Sequence, residues 1–242
     1  MALTTFVTAM LAEQIKPGAR IASLGYPDML APSDLIAEVL GDKLPELKYR
    51  ADSEQIAKWH GLPLGTKVPD AASFFGLQGA SLTVFDVAEL RGGEVIADLN
   101  MPHWLWCEHA GSYDFVLDVG TLEHCFNIGQ AALNMAGLLK KGGIIYHTNP
   151  YNCGNHGFYG INPTWYADFY GQPGFRLLRC NLFKHEKLIE IPHTGRFRCD
   201  EGEVNVFAAA VRTEIRPVEF VVQAKYKAML EKTTKAMDIC VD

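Results

Sequence analysis

The feature that most constrains the fold is a series of short apolar runs that end on an aspartate or a glycine and alternate with helical patterns. Residues 33–40 and 128–139 have apolar side chains at helical spacing. Strands that alternate with helices form mainly parallel sheets with helices on both faces. The sequence therefore predicts an α/β fold. The strand-like runs comprise residues 20–25, 81–86, 94–98, 113–118 and 144–147.

The rest of the chain adds elements around this alternation, and we expect residues 1–242 to form a single domain. A helix is predicted within residues 1–18, where Pro17-Gly18 ends it. Residues 44–79 form an insertion too long for a plain crossover, which we interpret as a cap or lid over the ligand edge. Residues 175–182 and 204–211 are predicted to form an antiparallel pair of strands at the sheet edge. Residues 217–237 are predicted to form a C-terminal helix.

Composition excludes several classes of function. The 242 residues carry a net charge of −6, and the basic residues are scattered, so we expect no nucleic-acid partner. No apolar run approaches the roughly 20 residues that span a bilayer, and the acidic N-terminal stretch lacks a basic leader, so we expect a soluble, cytoplasmic protein. The six cysteines contain no C-x-x-C pair, which favours reduced thiols over disulfides or a structural zinc site.

Small and acidic residues stand where the predicted strands end. Gly25, Asp86 and Asp98 end three of the runs, Asp118 ends a fourth, and Gly120 follows it. In an open α/β sheet, ligands bind beyond the carboxyl ends of the strands at the point where the strand order reverses. We therefore expect a ligand site along this rim.

The order of these strand ends resembles the class I S-adenosylmethionine-dependent methyltransferases over roughly residues 21–211. Ser23-Leu-Gly25 stands where the family's first glycine-rich motif ends a strand, and Phe85-Asp86 matches the acid that hydrogen-bonds the ribose. Residues 118–124, with Leu-Glu-His at their end, and residues 138–145, with Lys-Gly-Gly, are similar to a paired signature of that family. The resemblance implies a Rossmann-like, mostly parallel seven-stranded sheet with an antiparallel edge strand and helices on both faces.

The same resemblance implies S-adenosylmethionine as cofactor and S-adenosylhomocysteine as product. The family usually shows G-x-G-x-G in its first motif, whereas this chain has the single glycine Gly25. A nicotinamide dehydrogenase of this fold would need the fuller G-x-G-x-x-G pattern to cradle a pyrophosphate, which argues against that alternative. The predicted cofactor-binding residues are Gly25, Tyr26, Asp86, Val87, Asp98, Leu99, Asn100, Asp118, Gly120 and Thr121.

In methyl transfer, the enzyme mainly aligns the reactants and removes a proton from the acceptor. Three residues of this chain are candidates for that chemistry. His124 follows the fourth predicted parallel strand, and an orienting role for it stays open. His156 and Tyr159 lie in the segment 155–170, which is rich in aromatic and hydrogen-bonding side chains; Trp165 and Phe169 at i, i+4 favour a helix core face. His103, Trp104 and Trp106 are alternatives for lining the acceptor or adenine pocket, or for a buried loop.

A metal site is an alternative interpretation of the same region. Glu123 and His124, together with His147 or His156, could supply carboxylate and imidazole ligands. Some methyltransferases with an E-x-x-E-H motif bind a divalent ion there, but Gly120 replaces the first glutamate in this chain. Because too few ligands lie close in sequence, we predict no metal.

The predicted function is O-methylation, in preference to N-methylation, of a polar small molecule such as a sugar or a related hydroxyl acceptor. Aromatic side chains and histidines in the segment 155–170 motivate this acceptor class. The rival hypothesis is a methyltransferase-like binding or assembly module without catalysis, which the single-glycine motif motivates. A homo-oligomer is compatible with both.

Overall fold

A computed structural model describes residues 2–102, 106–192, 196–199 and 201–227, without the side chains of residues 106 and 107. The strands are β1 Ala2–Leu3, β2 Arg20–Leu24, β3 Asp28–Met29, β4 Ser81–Asp86, β5 Val95–Ile96, β6 Tyr113–Asp118, β7 Leu139–Pro150, β8 Phe175–Lys184, β9 Lys187–Ile189 and β10 Asn205–Arg212. The helices are α1 Thr5–Gln14, α2 Ser33–Leu40, α3 Ser53–Trp59, α4 Ala71–Leu77, α5 Trp106–His109, α6 Ile128–Leu138 and α7 Pro163–Phe169, with 3-10 turns at Gly41–Glu46 and Leu122–His124.

The main sheet has the order β5-β4-β2-β6-β7-β10-β8-β9. The five strands from β5 to β7 pair in parallel, and β10 runs antiparallel to both β7 and β8. The sheet thus has eight strands rather than the predicted seven, because β9 adds an antiparallel edge strand to β8. The predicted α/β, Rossmann-like class is confirmed, but β10 lies inside the sheet and not at its edge.

Two apolar clusters cover the two faces of this sheet, because successive side chains of a strand point to opposite faces. Val116 of β6 packs in one cluster with α6 and α7, whereas Phe115 and Leu117 pack in the other with α1, α2 and α4. The helices therefore lie on both faces, as the alternation of elements predicts.

The predicted C-terminal helix and the predicted turn at residues 141–143 also need correction. Residues 217–223 form no helix, and only residues 224–227 are helical before the described part of the chain ends; residues 228–237 lie outside it. Pro217 and the β-branched valines disfavour a helix, and Gln172, in the turn after α7, exchanges hydrogen bonds with the backbone of Glu219. The turn predicted at Lys141-Gly-Gly143 belongs instead to the long strand β7, whose pairing with β6 is irregular there.

The N-terminal helix is shorter than residues 1–18, because Ala2 and Leu3 pair with β3 before it begins. Thr4 caps it by accepting a hydrogen bond from the Val7 N–H at 3.4 Å. No helix among the described residues is both long and apolar enough to cross a bilayer.

Candidate functional site

The site lies where the strand order of the sheet reverses. From β2 the chain proceeds to β4 on one side, and from β6 it proceeds to β7 on the other. Gly25 and Gly120 follow these adjacent strands with φ of 81° and 102°, values that side-chain-bearing residues rarely adopt. The two glycines let the chain turn away sharply, and this opens a crevice between the strand ends.

A cleft of about 360 Å³ occupies this crevice. All the predicted cofactor-binding residues except Tyr26 and Asp118 line it, and so does His124. Its wall is completed by three residues that were not predicted to bind the cofactor, although each adjoins a candidate residue in the chain: Phe85, Ala97 and Cys125. Grooves of about 500 Å³ lie elsewhere, between α7 and residues 216–227, away from these strand ends.

Two carboxylates face the cleft, each held by its own loop. Asp86 Oδ1 accepts the N–H of Val87 at 2.7 Å, and Asp98 Oδ1 accepts the backbone and side-chain N–H groups of Asn100 at 2.9 and 2.8 Å. In the described part of the chain, neither Oδ2 atom accepts a hydrogen bond, so each carboxylate keeps an oxygen for a ligand. No Lys or Arg side chain is among the lining residues, and the cleft is therefore acidic.

Tyr26 points away from the cleft. Its hydroxyl donates to Asp70 Oδ2 at 2.6 Å, and the Arg50 guanidinium lies 4.6 Å from its ring centre. Burial, reinforced by Asp70, raises the pKa of Tyr26 to about 12. Asp28, the first residue of β3, contacts His60 at 3.0 Å, so residues of the 44–79 insertion pack on the segment that follows β2.

Asp118 is fully buried beneath the cleft rather than in its wall. Its Oδ1 accepts the N–H groups of Thr121 and Leu122 at 3.1 and 3.0 Å, and its Oδ2 lies 2.6 Å from His147 Nδ1. His147 Nε2 in turn lies 2.6 Å from the hydroxyl of Tyr170. This buried chain fixes the loop that carries Gly120 and Thr121.

A second constellation adjoins the cleft at His124. Glu123 Oε1 lies 3.9 Å from His124 Nε2 and 3.5 Å from His156 Nε2, although the histidines are 32 positions apart in the chain. One ligand atom from each of the three residues lies within 4.8 Å of the others. The Glu123 side chain is fully buried, while the two imidazoles are half exposed, so the cluster opens to solvent on one side.

The buried carboxylate of Glu123 is oriented from behind. Asn149 Nδ2 donates to its Oε2 at 2.9 Å, and the Tyr166 hydroxyl donates to Asn149 Oδ1 at 2.5 Å. The other oxygen, Oε1, receives no hydrogen bond from any described residue. Burial, with a further contribution from the charge of Asp118, raises the pKa of Glu123 to about 7. Burial and the nearby His156 lower the pKa of His124.

The loop that carries His156 is clamped against Glu123. The N–H of Phe158 donates to the backbone oxygen of Glu123 at 2.8 Å, and a Cβ on Gly157 would lie 2.9 Å from that same oxygen. Only glycine permits this approach without a shift of the backbone. Asn155 precedes the pair with φ of 58°, in a region that asparagine tolerates better than most residues.

The remaining candidates fall outside this cluster. The Tyr159 hydroxyl donates to the backbone oxygen of Phe126 at 2.8 Å. Trp165 stacks on Phe169 with ring centres 5.2 Å apart, and both pack against the core. His103, Trp104 and the side chain of Trp106 lie outside the described residues.

Comparison of the sequence with protein-family models and with curated proteins finds no match. The fold, by contrast, is similar to solved structures of methyltransferases. One is the 1,6-didemethyltoxoflavin N1-methyltransferase of Burkholderia thailandensis with S-adenosylhomocysteine, at 13% identity and a TM-score of 0.46, covering 86% of this chain and 76% of that one.

Two further neighbours are the methyltransferase CalH in complex with SAH and the carbon methyltransferase CurJ. Their identities are 16% and 10%, and their TM-scores are 0.48 and 0.47. The matches cover 86% and 85% of this chain, which spans only 55% and 52% of theirs. Identities and scores of this size concern the architecture of the chain and do not assign its substrate.

Proposed function

We propose that this protein is an S-adenosylmethionine-dependent methyltransferase that acts on a hydroxyl group of a polar small molecule. The observation that carries the proposal is an acidic cleft at the switch point of the sheet, where the described lining residues include Asp86 and Asp98 but no Lys or Arg. Solved neighbours of this fold that hold S-adenosylhomocysteine are consistent with it.

The charge of the cleft distinguishes this cofactor from a dinucleotide. A pyrophosphate would be repelled by the two carboxylates and needs a helix N-terminus or a glycine-rich cradle, whereas S-adenosylmethionine carries no phosphate. Helix α2 begins only at Ser33, eight residues beyond Gly25 at the end of β2, and the intervening loop contains no second glycine. The cleft therefore favours an adenosyl sulfonium over a nicotinamide dinucleotide.

Each group of lining residues is proposed to contact a different part of the cofactor. In this proposal Asp86 accepts hydrogen bonds from the ribose hydroxyls through its free Oδ2. Val87, which is exposed, and Leu99 enclose the adenine, and Asp98 and Asn100 contact its polar edge. Gly25 and Gly120 let the backbone approach the ligand closely.

The acceptor is placed at the rim formed by His124 and His156. Beside them, Phe126 and Phe158 stay 72% and 64% exposed with their rings edge to face, 5.6 Å apart. Exposed aromatic faces next to hydrogen-bonding imidazoles suit a ring that carries hydroxyl groups, such as a sugar. This motivates O-methylation of a sugar or a related acceptor.

The chemical demand on the protein is modest. S-adenosylmethionine supplies a methyl group on a sulfonium, which is already a good leaving group. The chain aligns the acceptor oxygen with that carbon and takes up the hydroxyl proton, for which the half-exposed imidazoles of His124 and His156 are placed.

Calorimetry tests the cofactor assignment. The wild-type protein is titrated with S-adenosylmethionine, S-adenosylhomocysteine and NAD⁺, and we expect binding of the first two alone. Asp86→Ala should weaken binding by about 1–3 kcal/mol through the lost ribose hydrogen bonds, whereas Glu38→Ala on the outer face of α2 should leave it unchanged. Absence of binding to either sulfur ligand at millimolar concentration would overturn the enzyme assignment in favour of a binding or assembly module.

The acceptor is sought in the same preparation by a turnover screen that detects S-adenosylhomocysteine. Sugars, nucleotide sugars and phenols are the acceptor classes to compare. Release of product with phenols and not with sugars would contradict the sugar assignment while leaving methyl transfer intact.

A further inference from the structure

We propose that Glu123, His124 and His156 form a binding site for one divalent transition-metal ion of the zinc type, at the rim where the acceptor enters. The sequence alone predicts no metal, because the ligands that stand close in the chain are too few. The fold supplies the third ligand from the loop after β7. The part of this inference that concerns the acceptor rests on the proposed methyl transfer; the metal site itself does not.

The geometry matches a single cation. Bonds of about 2.0–2.2 Å from zinc to nitrogen and oxygen place two ligands of a tetrahedral site about 3.4 Å apart. Glu123 Oε1 lies 3.5 Å from His156 Nε2 and 3.9 Å from His124 Nε2. Both imidazoles are half exposed, and the three ligand atoms lie within 4.8 Å of one another, so rotation of the two imidazoles can bring them toward ligand distances.

The carboxylate independently indicates a ligand. The Glu123 side chain has no exposed surface, yet its Oε1 receives no hydrogen bond from any described residue and is directed between the two imidazoles. A buried polar atom without a partner costs free energy, and native proteins rarely leave one unsatisfied. A cation between Oε1 and the imidazoles would satisfy it.

The surroundings of the carboxylate resemble the outer shell of a metal site. Ligating carboxylates are hydrogen-bonded on the oxygen that does not bind the ion, which fixes their direction. Asn149 does this for Glu123, and Tyr166 orients Asn149 in turn. His147, the other imidazole that the sequence offers as a ligand, is occupied between Asp118 and Tyr170 and is buried.

The ligand set indicates the class of metal. Two imidazoles and one carboxylate suit zinc and its neighbours, whereas magnesium and calcium prefer oxygen ligands alone. Three protein ligands leave a coordination position open, as in catalytic rather than structural zinc sites. The open position faces solvent beside the cleft.

The open position gives the ion a function in methyl transfer. An acceptor hydroxyl that replaces water on the ion loses its proton to solvent more readily, because the cation stabilises the oxyanion. The oxygen lone pair then forms the C–O bond with the methyl carbon, and the C–S bond breaks with its electron pair left on sulfur. In this state the histidines act as ligands rather than as bases.

The test measures metal binding without any acceptor. Chelator-treated protein is titrated with Zn²⁺ by calorimetry and with Co²⁺ by visible absorption, with Mg²⁺ as a competitor. We expect one Zn²⁺ or Co²⁺ per chain, no competition by Mg²⁺, and a Co²⁺ spectrum of nitrogen and oxygen ligands. His156→Asn and Glu123→Gln should weaken binding by about 100-fold or more, and Tyr166→Phe, one step removed, by about 10-fold.

A matched control is available in His185, an exposed histidine at φ of 46° remote from the cluster in sequence. His185→Asn removes one imidazole and should leave binding unchanged. Circular dichroism of each variant establishes that it folds. Binding that survives the loss of His156 or Glu123, or no stoichiometric binding by wild type, overturns the metal site.

The proposed methyltransferase activity and the proposed metal site can be contradicted independently of each other. Metal binding without binding of S-adenosylmethionine would contradict the methyltransferase and keep the metal site. Binding of S-adenosylmethionine, with turnover that withstands EDTA and no metal uptake, would contradict the metal site and favour a histidine base.

Discussion

The side-chain hydroxyl of Thr121 donates a hydrogen bond to the backbone oxygen of Leu24 and so joins the loop after β6 to the last residue of β2. These are the two strands at which the sheet order reverses, and Gly25, Gly120 and Thr121 all line the cleft between their ends. The hydrogen bond therefore ties together the two strand ends between which the cleft lies.

Thr121→Val keeps the shape of the side chain and removes the donor. We expect a loss of about 1 kcal/mol in the free energy of unfolding, together with weaker binding of S-adenosylhomocysteine, because the buried oxygen of Leu24 loses a partner. Urea unfolding and calorimetry measure the two effects. Thr121→Ser retains the hydroxyl and should behave as wild type. Wild-type stability and binding in Thr121→Val would show that the hydrogen bond contributes nothing.

Low pH should weaken the packing of the 44–79 insertion, because protonation of Asp28 removes the charge that holds His60 of the insertion. Burial alone raises the pKa of this carboxyl, but hydrogen bonds and charge from His60 and Arg91 outweigh it and hold the pKa below the ordinary value of 3.8. Since the folded pKa is the lower one, the stabilisation is complete above pH 3.8 and is lost as the pH falls through the folded value.

Asp28→Asn measures this contribution, because it removes the charge and keeps an oxygen acceptor. At pH 7 we expect the free energy of unfolding to fall by about 1.5–3 kcal/mol, the usual worth of hydrogen bonds to a charged group. The difference from wild type should shrink when unfolding is repeated in urea between pH 5 and pH 3. Glu38→Gln serves as a surface control, and a difference independent of pH would argue against the ionic account.

The buried chain from Asp118 through His147 to Tyr170 predicts a stability effect without any change at the surface. Tyr170→Phe leaves His147 Nε2 buried without its partner, at a cost of about 1–3 kcal/mol in the free energy of unfolding. Tyr151→Phe removes a hydroxyl that has no hydrogen-bond partner among the described residues and should change little. If both variants unfold alike in urea, the buried chain does not stabilise the fold.

Two glycines of one loop make a matched pair for the clamp on Glu123. Gly157→Ala places a Cβ 2.9 Å from the Glu123 backbone oxygen and displaces the loop, whereas a Cβ on Gly154 meets nothing within 4 Å. We expect Gly157→Ala to weaken Co²⁺ binding by about 10-fold or more and Gly154→Ala to leave it unchanged. Equal affinities in the two variants would show that the clamp does not position His156.

The sequence determined the parallel half of the sheet and the residues at its strand ends, because these depend on local patterns. An apolar run that stops at Asp86 or Asp118 is visible within a few residues, and β4 and β6 have the predicted bounds. All parallel strands end at one edge, so the residues that follow them lie near one another at that edge of the sheet.

Only the tertiary structure decided what depends on contacts between distant parts of the chain. It turned Tyr26 toward Asp70 instead of the cleft, and it chose His156 over His147 as the imidazole beside Glu123. That choice rests on the close approach of Gly157 to Glu123, 34 residues away, which no local pattern encodes. The same holds for residues 217–223, which form no helix and are held at Glu219 by hydrogen bonds with Gln172, a residue 47 positions away.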